Sequence, residues 1–431
     1  MSIENIYTVF TKFPSVQTDT RKLKKDDIYF ALKGENFDGN QFVKQAFDLG
    51  ASYAVIDNRT YLPDDENSAK CFVVDDTLQT LQELANFHRK QFSIPFIAIT
   101  GSNGKTTTKE LVMSVLSQKY ITYATEGNLN NHIGVPLTIL KIKMDAEMAI
   151  IEMGANHQKE IELYCKIAEP THGLINNCGK AHLEGFGGIE GVKKGKGELY
   201  DYLKQNDGVI FRNADLDYLV PMSDGVNHII TYGSANADFT GIAIMNDGMV
   251  GAAITTPRNE CTIKTQLVGE YNFANIMASF AIGRSFNISI EKIKSALEEY
   301  RPTNSRSQLI KLGTNTIILD AYNANPTSMI AAIQNFMNAD YPNKVIIIGA
   351  MKELGLSSLE EHQKLVFFLE ESNWNHVVLV GGDFAKVIHP YLYFENSSEA
   401  KLWFEKQQFK HTAILIKGSR AFAMEKVIQS E

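Results

Sequence analysis

Apolar and polar positions along this chain fall into three successive stretches, each alternating short β-branched runs with longer amphipathic ones. In residues 1–92, the runs Asp27–Leu32, Tyr53–Ile56 and Phe72–Val74 read as strands. Gln41–Leu49, closed by Gly50, and Thr77–Lys90 read as helices. Residues 93–303 open on the run Phe96-Ile97-Ala98-Ile99-Thr100. Further strands follow at Met148–Ile151, Gly173–Asn177 and Val209–Phe211, with helices over Ile189–Lys204 and from Leu267 onward. Pro302, in Arg301-Pro302-Thr303-Asn304-Ser305-Arg306, stops the last helix and marks a boundary. Residues 304–431 carry strands at Thr316–Leu319, Val345–Ile348, Val377–Val380 and Ala413–Ile416, with helices between them. The expected fold class is α/β with three domains: a small α/β domain, a central domain with a mainly parallel sheet, and a Rossmann-like C-terminal domain. In a doubly wound sheet ligands bind at the carboxyl edge of the strands. There the pattern gathers Asp320-Ala321-Tyr322-Asn323, Gly349-Ala350-Met351, Gly381-Gly382-Asp383 and Lys417-Gly418-Ser419-Arg420.

Composition narrows the class. A chain of 431 residues, 44% hydrophobic, is too long for one core and ordinary for a globular protein. Its net charge of −8 argues against a broad nucleic-acid surface. The four cysteines, Cys71, Cys165, Cys178 and Cys261, form no C-x-x-C pair, which fits a reducing compartment. The N-terminus lacks the basic and apolar blocks of a signal peptide, and no apolar run reaches membrane-spanning length. A cytoplasmic protein without membrane contact is expected.

The most informative stretch is Thr100-Gly101-Ser102-Asn103-Gly104-Lys105-Thr106-Thr107. A strand, a glycine turn and a helix start occur in the order a phosphate-binding loop requires. Gly101 and Gly104 admit close backbone approach, the amides of Gly104 to Thr107 would face anionic oxygens, Lys105 adds charge, and Thr106 offers a hydroxyl to magnesium. The commonest form of this loop has a further glycine where this chain has Ile99. Glu152 ends a buried strand, where it would support magnesium or cap a helix. His182, in the glycine-rich Cys178–Gly187 loop, is a second metal candidate or a surface residue. Lys193, Lys194 and Lys196 lie near a helix start, against its dipole, so they form a solvated face or supply one lysine to phosphates or to chemical modification. Asn272 and Asn275 share a helical face and would read a purine edge beside Tyr271, or serve as cap and core. Asp19 and Arg21, taken alone, read as a surface turn with an ion pair.

Together the stretches DTRKLKKDDIYFALKG, TGSNGKTTTKE, GNLNNHIGVPLT, IEMGANHQKEI, NNCGKAHLEGFGG, KGKGEL, DAYNANPTSM and KGSR resemble the Mur ligases over essentially the whole chain. The resemblance implies a UDP-binding first domain, a central ATPase domain and a third domain that closes on the others. It implies a monomeric, ATP-dependent ligase joining D-alanyl-D-alanine to UDP-N-acetylmuramoyl-tripeptide through an acyl phosphate. ATP is expected on Gly101, Ser102, Asn103, Gly104, Lys105, Thr106 and Thr107, with Asn272, Asn275, Arg306 and Asp320. Two magnesium ions are expected on Thr106, Glu152, His182 and a carbamylated Lys196, so that Lys105, Glu152, His182 and Lys196 form the catalytic set. Asp19, Thr20, Arg21, Lys33 and Gly34 match the uridine-diphosphate side. Asn130, Asn131, Tyr322, Asn323, Asn325, Lys417, Ser419 and Arg420 are expected on substrate. Two departures stand out: Tyr271 where many members have histidine, and Ala350 where many have aspartate.

Overall fold

The computed structural model describes residues 2–246, 248–255, 260–302 and 306–429, so the expected boundary at 303/304 lies outside the described residues. By contact density the chain divides into two compact units. One comprises Met1–Ala98, Tyr120–Gly154 and Lys159–Gly173; the other comprises Ile99–Lys119, Ala155–Gln158 and Leu174–Glu431.

In the first unit, four parallel strands run in the order Val16–Gln17, Ile28–Phe30, Tyr53–Ile56, Cys71–Val73. Their apolar faces bury Tyr29, Ala54 and Ile56 against Val43 and Ala46 of the helix Val43–Asp48. The helix Thr77–Arg89 starts where Asp76 accepts a hydrogen bond from Gln79 N, and it buries Leu81, Leu84 and Ala85. Strand Thr122–Ala124 pairs in parallel with Met148–Glu152, every residue of which is buried.

The second unit holds two sheet regions. Val209–Asn213 and His228–Gly233 are parallel and are followed by antiparallel strands Phe239–Asn246, Met249–Thr255 and Glu260–Val268. These three long strands were not anticipated from the sequence. Leu267 and Val268 end the last of them, so the expected apolar helix begins later, at Phe273.

The remaining six-stranded sheet has the order Gln308–Leu312, Asn315–Asp320, Ala413–Lys417, Lys344–Gly349, His376–Val380, Leu392–Phe394, with only the first pair antiparallel. Its two faces bury separate cores. Met329, Phe336, Val366 and Leu369 pack on one side, and Ala400, Phe404 and Val427 on the other. This is the doubly wound arrangement expected of alternating apolar strands and helices. Among the described residues no helix is long and apolar enough to cross a membrane.

Candidate active site

The strand Phe96–Thr100 is wholly buried and gives way to helix Lys105–Leu116 through a turn with Gly101 at φ +146° and Gly104 at φ +80°. A Cβ on Gly104 would lie 2.8 Å from Asn275 Oδ1 and 2.9 Å from Asn176 Nδ2, and one on Gly101 would lie 2.9 Å from Asn176 Cβ. Glycine is therefore required twice, by conformation and by space. The helical ladder begins with Thr108 N donating to Gly104 O at 2.8 Å, which leaves the preceding first-turn amides at the positive end of the helix dipole. Lys105 Nζ lies over the mouth of the loop, donating to Gly101 O at 2.7 Å. This is an anion cradle with a cation at its lip.

Asparagines hold the cradle in shape, and this part was not foreseen. Asn177 grips the backbone of Asn103 on both sides: its Oδ1 accepts from Asn103 N at 2.9 Å and its Nδ2 donates to Asn103 O at 3.2 Å. Ser102 N donates to Asn177 O at 2.9 Å. Beneath the loop runs a chain of buried bonds. Asn176 Nδ2 donates to Thr108 Oγ1 at 2.8 Å, Thr108 Oγ1 donates to Asn275 Oδ1 at 3.0 Å, Asn275 Nδ2 donates to Asn272 Oδ1 at 2.8 Å, and Asn272 Nδ2 donates to Val268 O at 2.8 Å. Asn272 and Asn275, expected on a purine edge, are thus buried and bonded beneath the loop. The adjacent pair Asn176-Asn177 at the end of an apolar strand was the available signal.

The expected metal residues occupy separate settings. Glu152 is 1% exposed, its Oε1 accepts from Asn130 Nδ2 at 2.8 Å, and its N donates to Thr125 Oγ1. Asn131 instead closes the turn into the next helix, its Oδ1 accepting from Gly134 N at 2.8 Å. His182, at φ +52°, places Nδ1 2.5 Å from Glu353 Oε2, and this imidazole holds the Glu353 carboxyl below the usual carboxylate range. Of the three helix-start lysines, Lys193 pairs with Glu190 and Lys194 is exposed, whereas Lys196 is 1% exposed with Nζ donating to Ala155 O at 3.1 Å beside the Phe186 ring. Among the described residues no three His, Cys, Asp or Glu side chains converge as a ready metal site. The Thr106 hydroxyl and the Glu152 carboxylate are each a hard oxygen donor of the kind magnesium takes. Lys196 as an ammonium has the wrong sign for a metal ligand.

At the carboxyl edge of the C-terminal sheet the expected residues do come together. Asp320 and Lys417 are register partners, and their side chains form a bridge of 2.5 Å. Tyr322 carries two guanidiniums, Arg306 Cζ 3.6 Å and Arg420 Cζ 5.4 Å from its ring centroid. Ser307 N donates to Asp320 Oδ1, Ser307 Oγ bonds Tyr271 OH at 2.7 Å, and Lys417 Nζ also donates to Asn323 O. Ser419 is buried, its N donating to Ala350 O at 3.3 Å. Ala350 is fully buried, and a Cβ on Gly382 would lie 2.5 Å from its own Cβ, so the position is apolar and tightly packed. In the first unit, Arg21 and Asp19 form a local pair at 2.8 Å around a short turn holding Thr20. Lys33 pairs with Asp57 at 2.9 Å in a two-residue hairpin, where Gly34 lies against the Phe37 ring.

These features define an α/β protein with a phosphate loop and a doubly wound C-terminal domain, and comparison with known proteins identifies its kind. Three family models match in order: Mur ligase family, catalytic domain, at residues 12–89; Mur ligase middle domain at 99–283; and Mur ligase, glutamate ligase domain, at 305–420. The chain belongs to the Mur ligase family. Within it, the chain is similar to the UDP-N-acetylmuramoyl-tripeptide–D-alanyl-D-alanine ligase of Bacillus subtilis, 35% identical over 97% of this chain and 93% of that protein. The Escherichia coli protein of the same name is 35% identical over 96% and 93%. Among solved structures, MurF from Acinetobacter baumannii superposes with a TM-score of 0.86 at 33% identity, covering 96% of this chain and 92% of that one. MurF from Thermotoga maritima, in complex with ADP, gives 0.85 at 26% identity over 96% of both chains.

Proposed function

We propose that this chain joins D-alanyl-D-alanine to UDP-N-acetylmuramoyl-tripeptide at the cost of ATP, as a monomer in the cytoplasm during peptidoglycan precursor synthesis. The observation that carries this reading is the cradle at Gly101–Thr107, with its two required glycines and Lys105, in a chain similar along nearly its whole length to ligases of that name. A carboxylate is a poor acyl donor. Transfer of the γ-phosphoryl group to the tripeptide carboxylate makes an acyl phosphate and releases ADP. The dipeptide amine then attacks the acyl carbon, loses its proton and expels phosphate.

Each residue has a task in that sequence. The first-turn amides and Lys105 hold the polyphosphate and offset its repulsion with the incoming carboxylate. Magnesium, when bound, supplies further neutralisation of phosphate charge. Thr106 and Glu152 would hold it, with His182 and a carbamylated Lys196. Asn130 orients Glu152 through its Oε1 bond. Arg306 and Arg420, braced on Tyr322, present positive charge at the C-terminal edge to the nucleotide and to the dipeptide carboxylate. Asp19, Thr20, Arg21, Lys33 and Gly34 serve the uridine diphosphate. The C-terminal domain, taken as residues 304–431, excludes water that would destroy the acyl phosphate.

Phosphate release from ATP tests the proposal. It should require both UDP-N-acetylmuramoyl-tripeptide and D-alanyl-D-alanine. Release with one alone, or a stable phosphorylated product, would instead indicate an ATPase or kinase. Binding of ATP without turnover under any combination would indicate a scaffold.

A further inference from the structure

Asn325 was expected on substrate, but its side chain is already engaged at both ends. Its Oδ1 accepts from Ser328 N at 2.9 Å, capping helix Pro326–Asn338, and Ser328 Oγ accepts from Asn325 N in return. Its Nδ2 donates to Asn103 Oδ1 at 2.7 Å. Asn325 is 6% exposed. Asn103 is equally committed, its backbone held by Asn177 and its side chain by Asn325. The first turn of the same helix also bonds the segment that flanks the loop. Thr327 Oγ1 accepts from Lys180 N at 3.0 Å, while the neighbouring Gly179 N donates to Ser102 Oγ at 3.0 Å. Asn103 is thus bonded directly to the cap of one helix of the C-terminal domain, and Ser102 is linked to that helix only through Gly179 and Lys180. Lys180–Glu361 at 2.6 Å and His182–Glu353 lie on the same seam.

We propose that the Asn103–Asn325 bond is a latch through which the shape of the phosphate loop is transmitted to helix Pro326–Asn338, so that nucleotide binding and seating of the C-terminal domain are coupled. Asn325 is then a positioning residue. The inference rests on the reading that ATP occupies this loop. Coupling of this kind is reciprocal: a nucleotide that favours one loop shape tightens the latch, and a tight latch raises nucleotide affinity.

The test uses the full chain with ADP as probe. Asn325→Ser keeps a good helix cap and the bond from Ser328 but cannot reach Asn103. Asn103→Ala removes the other end. Ser328→Ala weakens the capping box and leaves the latch intact. In the wild type, ADP should slow hydrogen exchange of the Ser328 and Met329 amides. Asn325→Ser and Asn103→Ala should each lose that protection and bind ADP about fivefold more weakly, the size of one neutral hydrogen bond. The double variant should be no worse than either single one, since both remove the same bond. Ser328→Ala should lower the melting temperature with unchanged ADP affinity. Additive losses in the double variant, or wild-type protection and affinity in Asn325→Ser, would overturn the latch. Wild-type ADP binding that is lost in Lys105→Ala would show that the loop reading stands even where the latch fails. No ADP binding by the wild type would remove both.

Discussion

Replacing Gly104 by alanine should damage the phosphate loop through two separable effects. The first is conformational: Gly104 sits at φ +80°, where an L-residue costs about 1–2 kcal/mol. The second is spatial. The new methyl would meet Asn275 Oδ1 at 2.8 Å and Asn176 Nδ2 at 2.9 Å, and both amides belong to the buried chain through Thr108. Moving either one breaks a bond worth about 1 kcal/mol, or more where a buried group is left unpaired. The total is about 2–4 kcal/mol, or about 5–10 °C in the melting temperature of a domain of this size. Gly187→Ala provides the control. Gly187 has φ +73° and nothing within 4 Å of its would-be Cβ, so it feels only the first effect. Thermal unfolding of the two variants side by side should show the larger loss for Gly104→Ala, together with weakened ADP binding seen only in that variant. Equal losses, or unimpaired ADP binding by Gly104→Ala, would refute the claim that the asparagine chain sets the loop's shape.

Other predictions follow from single groups. Lys105→Ala should abolish turnover while preserving the fold seen by circular dichroism; a near-normal rate would remove the phosphate-loop assignment. Lys196→Ala should be nearly inactive and regain part of its rate with added small carboxylates, which replace the carbamate; full activity without additive would refute that role. Burial holds the His172 ring down to about 4 and lowers His88 as well, whereas in the unfolded chain both titrate near 6.5. Between those values the unfolded state binds more protons, so stability should fall as pH drops from about 6.5 toward 4. A melting temperature that is flat or rises from pH 6.5 to pH 5 would contradict this.

Local chemistry was legible in the sequence wherever neighbouring residues create it. The run Phe96–Thr100, the two glycines and the helix start are contiguous, so pattern and conformation agree. The C-terminal strands were equally plain, since each is an apolar run buried on both faces. The cluster of Asp320, Tyr322, Lys417 and Arg420 followed from strand polarity, because parallel neighbours deliver their ends to one edge, whereas Arg306 was expected there only from the family resemblance. What could not be read was convergence between distant segments. Asn103, Asn177, Asn275 and Asn325 come from four separate stretches, and no spacing rule links them. The antiparallel strands from Phe239 to Val268 were missed for another reason. Their alternation is half polar and interrupted by glycines such as Gly241, Gly248 and Gly251, which weakens a period-two signal. The pairing of His182 with Glu353, 171 positions apart in the chain, likewise had no local signal.

The most direct measurement is a crystal structure of the chain with a non-hydrolysable ATP analogue and magnesium. The account predicts the β- and γ-phosphates seated in the turn between Gly101 and Thr107, with Lys105 Nζ on a phosphate oxygen. Nucleotide density elsewhere, with Lys105 still bonded to Gly101 O, would contradict it.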